Sequence, residues 1–195
     1  MFLLYVFTIP ILFICCKSDE PESTDLVGSA NMDQASRSNG QNSNSQTLFE
    51  QGRTLQARAE FVRAEEKYRQ ASTLEPQNAQ YHFRLGTVLH AQSRYGEAKN
   101  SLLKSLSLKV DYAAPRIALA KLLYDIEGKV DTAQILLREA ISLAPQSDEA
   151  RYTLGLIFLR EGSPRKAIET FSDLVKNDST NSKARSHTSS VLSQA

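Results

Sequence analysis

Residues 83–105 read FRLGTVLHAQSRYGEAKNSLLKS, and two of their small residues belong to series that recur along the chain at a fixed interval. The first series has spacings of 34, 34 and 35 residues and consists of Gly52, Gly86, Ala120 and Gly155. The second has spacings of 34, 35 and 34 residues and consists of Ala64, Ala98, Ala133 and Ala167. One inserted residue in the turn around 127–129 explains both series. A period of this length is typical of a stacked array of supersecondary units.

Small residues at a fixed interval indicate helices that approach closely, because larger side chains would push the helices apart. Turn-forming stretches between the two series, such as 94–96 and 161–164, divide each unit into two helices. The spacing therefore predicts helices over 46–58, 61–74, 80–92, 95–108, 114–126, 130–143, 149–161 and 164–177. No strand is expected between residues 45 and 179.

The pattern resembles the tetratricopeptide repeat, whose signature includes Leu-Gly, two alanines, an aromatic residue and a proline at fixed positions. The third repeat carries matching residues at Leu119, Ala120, Leu123, Ala133, Leu137, Ala140 and Pro145. The resemblance implies an all-α solenoid of about four helical hairpins, over 45–78, 79–112, 113–147 and 148–181. Because the ends of a solenoid need a polar cover, we expect residues 182–195 to form a C-terminal capping helix or a frayed tail.

The first sixteen residues, MFLLYVFTIPILFICC, are almost wholly apolar and carry no charged side chain. The run is shorter than the roughly 18 apolar residues of a membrane span, so it predicts an export signal over 1–16, with an uncleaved signal-anchor as the alternative. Residues 12–15, LFIC, resemble a bacterial lipobox, which implies lipidation of Cys15, with Cys16 as the competing acceptor. Residues 17–44 are polar and predict a disordered tether.

The composition excludes several classes of function. Lysine and arginine number 23 against 22 aspartates and glutamates, so the net charge of +1 provides no field that would attract nucleic acid. The two cysteines are adjacent and cannot staple a fold. The three histidines form no ligand set, and no phosphate-binding loop or catalytic motif is present. The sequence predicts no enzyme, no metal and no cofactor.

The resemblance also implies a ligand groove lined by positions 2, 5, 9 and 12 of each repeat. Position 5 forms an apolar row of Phe49, Phe83, Ile117 and Tyr152, which faces the groove or, alternatively, packs in the core. Positions 9 and 12 add Arg53, Thr87, Lys121, Leu156, His90 and Tyr124. The carboxylate clamp of chaperone-binding relatives is absent, because phenylalanine and arginine occupy its lysine and asparagine positions. Such a groove suits a peptide with hydrophobic side chains and some acid.

These observations predict a protein–protein interaction scaffold that is exported and held in a bacterial cell envelope as a lipoprotein facing the periplasm. Its partner would be a protein or peptide. Similar short tetratricopeptide lipoproteins assist assembly of outer-membrane proteins or pili, so the resemblance implies an assembly factor. A soluble periplasmic adaptor and a membrane-anchored scaffold with an uncleaved signal-anchor are the alternatives.

Overall fold

The computed structural model describes residues 43–177 and 182–192, and every regular element in these ranges is an α-helix. The helices are α1 (43–57), α2 (Phe61–Leu74), α3 (Ala79–Ala91), α4 (Tyr95–Leu108), α5 (Ala113–Glu127), α6 (Val130–Leu143), α7 (Asp148–Arg160), α8 (Pro164–Asn177) and α9 (Ser182–Leu192). Each of the first eight begins and ends within three residues of its predicted range. The prediction of an all-α architecture is confirmed.

Consecutive helices pair into hairpins that stack along the chain. From α2 to α9 each helix contacts the next one along the chain. In addition, α3 contacts α5, and α5 contacts α7. The two helices of one hairpin therefore pack on each other, and the first helices of successive hairpins lie side by side. This is the arrangement of a helical solenoid, in which each unit buries its apolar face against its neighbours.

Glycines inside the hairpins make room for a large side chain of the partner helix. A Cβ atom on Gly86 would lie 2.8 Å from Leu102 Cγ and 3.2 Å from the Ala98 carbonyl oxygen. Gly155 is equally close to the ring of Phe171, at 2.5 Å from Cε1. The predicted close approach is therefore present. The side chain nearest to each glycine belongs to the large residue four positions after the alanine of the second series. In the second hairpin, the alanine itself contributes its backbone carbonyl to the contact.

The turns within the four hairpins share one backbone feature, a residue with left-handed φ. These residues are Ala59, Ser93, Gly128 and Gly162, with φ of 59°, 62°, 62° and 66°. The third hairpin differs in length, because α5 has 15 residues whereas α3 and α7 have 13. The inserted residue therefore extends the end of α5 immediately before Gly128, within the predicted turn region.

The two ends of the described region refine the predicted boundaries. Residues 43 and 44 were expected in the tether but belong to α1, whose Ser45 is buried and donates a hydrogen bond to Glu75. At the other end α9 is helical and contacts α8. The signal segment 1–16, the remainder of the tether and Cys15 lie outside the described residues. Among the helices of the described ranges, none combines the length and apolar character needed to span a membrane.

Candidate protein-binding groove

We call the solvent-facing surface of α1, α3, α5 and α7, the first helices of the four hairpins, the groove. The first helices of a solenoid line its concave side, which such proteins use for binding. Two hollows of about 170 Å³ each open along this face, one between α3 and α5 and the other between α5 and α7. Lys121 lies between them and lines both.

The hollow between α3 and α5, which we call the alanine hollow, has aromatic walls and a shallow second side. Its α3 side carries Phe83, Thr87 and His90, and its α5 side carries Ala114 and Ala118. The Phe83 ring lies edge-on to Tyr112 with centroids 5.5 Å apart, and His90 packs in the same way on Tyr95 at 5.5 Å. The two rings are thus held at the wall by aromatic neighbours.

The hollow between α5 and α7, which we call the tyrosine hollow, is bordered by polar bridges that join its two helices. Lys121 Nζ lies 2.6 Å from Glu149 Oε1, and Arg160 donates a 2.9 Å hydrogen bond to Asp125. The Tyr124 hydroxyl donates to Glu161 over 3.1 Å. Desolvation and this hydrogen bond to a carboxylate raise the pKa of Tyr124, so the phenol stays protonated and remains a donor.

The structure brings most of the predicted groove residues together. Phe83, Thr87, His90 and Lys121 line the alanine hollow. Lys121 is joined in the tyrosine hollow by Tyr124, Tyr152 and Leu156. Arg53 lies on α1 with 53% of its side chain exposed and is paired with Glu50 at 3.0 Å.

Phe49 and Ile117 are core residues, which corrects their prediction as groove residues. Phe49 is 1% exposed, with its ring 4.9 Å from that of Tyr81 and 5.6 Å from that of Tyr68. Ile117 is 3% exposed and belongs to the core of the last two hairpins. For these two positions the core alternative holds, because neighbouring side chains cover them and leave no surface for a ligand.

Two alanines form one side of the alanine hollow, Ala114 and Ala118. Ala114 lies at a predicted groove position but was not named, and Ala118 lies at a position that was not predicted. They occupy positions 2 and 6 of the third repeat. The same positions carry longer side chains in the second repeat, Gln80 and Arg84, and in the fourth repeat position 2 is Glu149. A drop in side-chain size at two positions that share one helix face indicates a local depression, and the sequence already contains that signal.

The groove contains no cluster of metal-binding side chains within the part of the chain that the structure describes. No group of three or more histidine, cysteine, aspartate or glutamate residues there could hold a metal ion. The carboxylates that bridge α5 to α7 and to the turn after α7 are instead engaged with Lys121, Tyr124 and Arg160. The expectation of no cofactor remains a prediction.

Comparison with known sequences identifies relatives of this architecture. A family model described as tetratricopeptide repeat matches residues 45–105 and 117–182. The chain is 29% identical over 145 residues to human Protein O-mannosyl-transferase TMTC3, a match that spans 67% of this chain and 16% of that protein. It is 28% identical over 119 residues to the BBSome complex member BBS4 of Bos taurus, covering 61% of this chain and 22% of that protein. The chain thus spans less than a quarter of the length of these relatives.

Solved structures share the fold at low sequence identity. The pilF protein of Pseudomonas aeruginosa superposes with a TM-score of 0.73 at 20% identity, covering 80% of this chain and 70% of that one. YrrB, described as a TPR protein with an unusual peptide-binding site, superposes with a TM-score of 0.57 at 22% identity, covering 75% of each chain. At these identities the likeness concerns the fold alone.

Proposed function

The chain belongs to the tetratricopeptide repeat family, and on that premise we propose that it is a protein-interaction scaffold that binds a segment of another protein in its groove. The observation that supports this function best is the pair of hollows along the first helices. Each has a half-buried aromatic side chain at its wall, Phe83 in one and Tyr152 in the other. Partly exposed aromatic residues in a concave surface are typical anchors for a protein ligand.

A binding role fits the groove better than a catalytic one. Catalysis would need an ionisable group poised against a substrate, whereas the charged side chains of the tyrosine hollow are tied to one another across two helices. The name of one curated relative includes a transferase activity, but the match covers 16% of that protein. We therefore do not propose the transferase activity for this chain.

Site-specific photo-crosslinking in the native cells tests the binding role. A benzophenone amino acid replaces Arg53, which is exposed in the groove, in the full-length chain. The control replaces Val62, which is 72% exposed on the second helix of the same hairpin. We expect irradiation to give discrete adducts from position 53 and none from position 62. Equal adducts from both positions, or none from position 53, would contradict the proposed function.

The finer proposal is that this scaffold is exported and anchored in a bacterial envelope through an acylated Cys15. Its support is the sequence itself: an uncharged apolar run over 1–16, a leucine at position 12 and a polar segment over 17–42 that follows the cysteines. A single acyl chain gives only marginal membrane affinity, so stable anchoring needs a multiply acylated cysteine. An assembly role for outer-membrane proteins or pili is part of the same proposal and rests on the family resemblance.

Intact mass spectrometry of the membrane-extracted protein tests the anchor. A chain that starts at Cys15 and carries acyl groups supports it, and Cys15→Ser should release the protein or leave it uncleaved. The matched control Cys16→Ser should do neither. A cleaved chain without acyl groups would instead make the protein a soluble periplasmic adaptor. The mass of the full unmodified chain would leave only the signal-anchor.

A further inference from the structure

The alanine hollow is large enough to receive one side chain of a partner. Its volume of about 170 Å³ is comparable with the roughly 150 Å³ apolar cavity that binds benzene in another protein. Among the described residues, no hydrogen bond or ion pair joins α3 to α5. By contrast, two such contacts join α5 to α7, and a third joins α5 to the turn that follows α7. A ligand can therefore enter between α3 and α5 without breaking a polar bridge between those two helices. The Lys121–Glu149 ion pair also lines the hollow, on the side that faces α7.

A cation without an acidic partner lies beside this hollow. The Arg84 guanidinium carbon is 5.3 Å from the centroid of the Phe83 ring, and that ring is a wall of the hollow. Within the part of the chain that the structure describes, no carboxylate lies within 4 Å of Arg84, and its buried Nε has no hydrogen-bond partner. The two cations that the sequence predicted for the groove are paired, Arg53 with Glu50 and Lys121 with Glu149. On α7, Arg151 also has a buried nitrogen, Nη1, without a hydrogen-bond partner.

The charge of Arg84 acts on this part of the groove. Burial raises the pKa of the Tyr112 hydroxyl, and the nearby Arg84 guanidinium opposes that rise. Tyr112 is also the residue that packs edge-on against Phe83. The positive charge and the aromatic wall therefore belong to one neighbourhood, and a guanidinium without an acidic partner favours an incoming carboxylate.

We propose that the partner segment inserts one aromatic or large aliphatic side chain into the alanine hollow and places a neighbouring carboxylate on Arg84. This inference deepens the proposed function and rests on it. It assigns the recognition chemistry to a short element, an apolar side chain flanked by aspartate or glutamate. Ala114 and Ala118 select for the apolar side chain by leaving the space free, and Arg84 selects for the acid.

Methyl NMR of the full-length chain in detergent micelles, labelled at alanine methyl groups, tests this recognition. Three synthetic peptides serve as probes: Gly-Ser-Asp-Phe-Asp-Ser-Gly, the same peptide with both aspartates replaced by lysine, and the same peptide with phenylalanine replaced by serine. We expect the first probe to shift the methyl signals of Ala114 and Ala118. The lysine probe should bind about tenfold more weakly or not at all, and the serine probe should leave both signals in place.

Two variants with matched controls identify the residues responsible. Arg84→Gln should weaken binding of the acidic probe by about tenfold, whereas Arg63→Gln, which removes an exposed, paired cation on α2 outside the groove, should leave that binding unchanged. Ala118→Leu should abolish the shift by filling the hollow, and Ala57→Leu on the exposed side of α1 should not. Thermal melts identify any variant that fails to fold.

The outcomes separate this inference from the proposed function. Equal binding of the acidic and lysine probes, or no effect of Arg84→Gln, would overturn the role of Arg84. Absence of any shift at Ala114 and Ala118 would overturn the hollow as the anchor site. If crosslinked adducts still form at position 53 in that case, the scaffold function stands and only the recognition chemistry is wrong.

Discussion

The interior of the hairpins and the groove differ in how strictly they follow the 34-residue period. In three hairpins a glycine faces a large buried residue, Gly52 with Tyr68, Gly86 with Leu102 and Gly155 with Phe171. The groove, by contrast, changes at each interval between first helices. It is shallow and lined by alanines between α3 and α5, and bordered by ion pairs between α5 and α7.

This difference separates the positions that pack the solenoid from the positions that differ between repeats and give the groove its own surface. In the three hairpins with a glycine, this contact is constrained by close packing, because an added methyl group would overlap the facing side chain. A groove position has solvent on one side and can change size without breaking a helix pair. The deviations from the period on this face are therefore where we expect specificity to lie.

The largest expected effect contrasts two phenylalanines at the same repeat position. Phe49→Ala should lower the free energy of unfolding by about 3–5 kcal/mol, because its ring is fully buried between Tyr68 and Tyr81. Phe83→Ala should cost about 1–2 kcal/mol, since that side chain is only half-buried. Urea unfolding of both variants measures the difference. Equal losses would show that the two positions have not diverged into core and groove.

A smaller effect is expected at the repeated contact inside a hairpin. Gly86→Leu should overpack the contact with Leu102 and lower the free energy of unfolding by about 1–3 kcal/mol, which a thermal or urea melt detects. Gly96→Leu is the control, since a Cβ there meets nothing within 4 Å and leucine favours a helix over glycine. A Gly86→Leu variant as stable as the parent would show that the assigned hairpin packing is wrong.

The junction between the first two hairpins carries an ion-pair cluster that is absent from the hairpin interiors. Glu65 is 8% exposed and accepts hydrogen bonds from Arg69, Gln92 and Arg94. Burial alone would raise the pKa of Glu65, but these hydrogen bonds outweigh it and hold the pKa below its ordinary value of 4.5. The charged form is therefore the one that the fold stabilises.

Glu65→Gln should consequently destabilise the protein on the order of 1 kcal/mol at neutral pH. Because the folded-state pKa of Glu65 is below the unfolded one, its contribution is present above pH 4.5 and is lost as the pH falls through the folded-state value. Urea titrations of parent and variant at pH 7 and pH 3 measure this dependence. A difference in stability that persists unchanged at pH 3 would contradict the assignment.

The smallest expected effect concerns the left-handed residue of each turn. Ala59 adopts φ of 59° although alanine is strained there, whereas Gly162 adopts the equivalent conformation freely. Ala59→Gly should stabilise the protein by about 0.5 kcal/mol after the larger entropy of the unfolded chain is subtracted, and Gly162→Ala should destabilise it by a similar amount. Melts in which both variants change stability in the same direction would break the equivalence of the turns.

The sequence alone was sufficient for the elements that obey the period. Helix positions and the inserted residue near Gly128 follow from spacing, because steric exclusion acts at each copy. The burial of Phe49 was not predictable in the same way, since it depends on Tyr81, the third residue of the next repeat. The equivalent neighbour of Phe83 is Pro115, which offers no aromatic ring.

The alanine hollow was missed for a related physical reason. A single repeat position, taken alone, does not reveal this hollow. The hollow lies between two helices and depends on positions 5, 9 and 12 of one repeat and on positions 2 and 6 of the next. Whether a groove cation is neutralised likewise depends on the residue that lies next to it in the fold. Lys121 and Arg84 are both cations in the sequence. Only the structure shows that Lys121 is paired with Glu149 and that, among residues 43–177 and 182–192, no carboxylate forms an ion pair with Arg84.

Whether this solenoid binds a partner through its groove is measured by the yield of photo-crosslinked adducts from position 53 in the Phe83→Ala background. The measurement is made at a temperature where parent and variant are both fully folded. If Phe83 anchors the partner, the adduct yield falls severalfold while the Phe83→Ala variant retains its helical content and cooperative melt. An unchanged yield of the same adducts in a folded Phe83→Ala protein would contradict this role of Phe83.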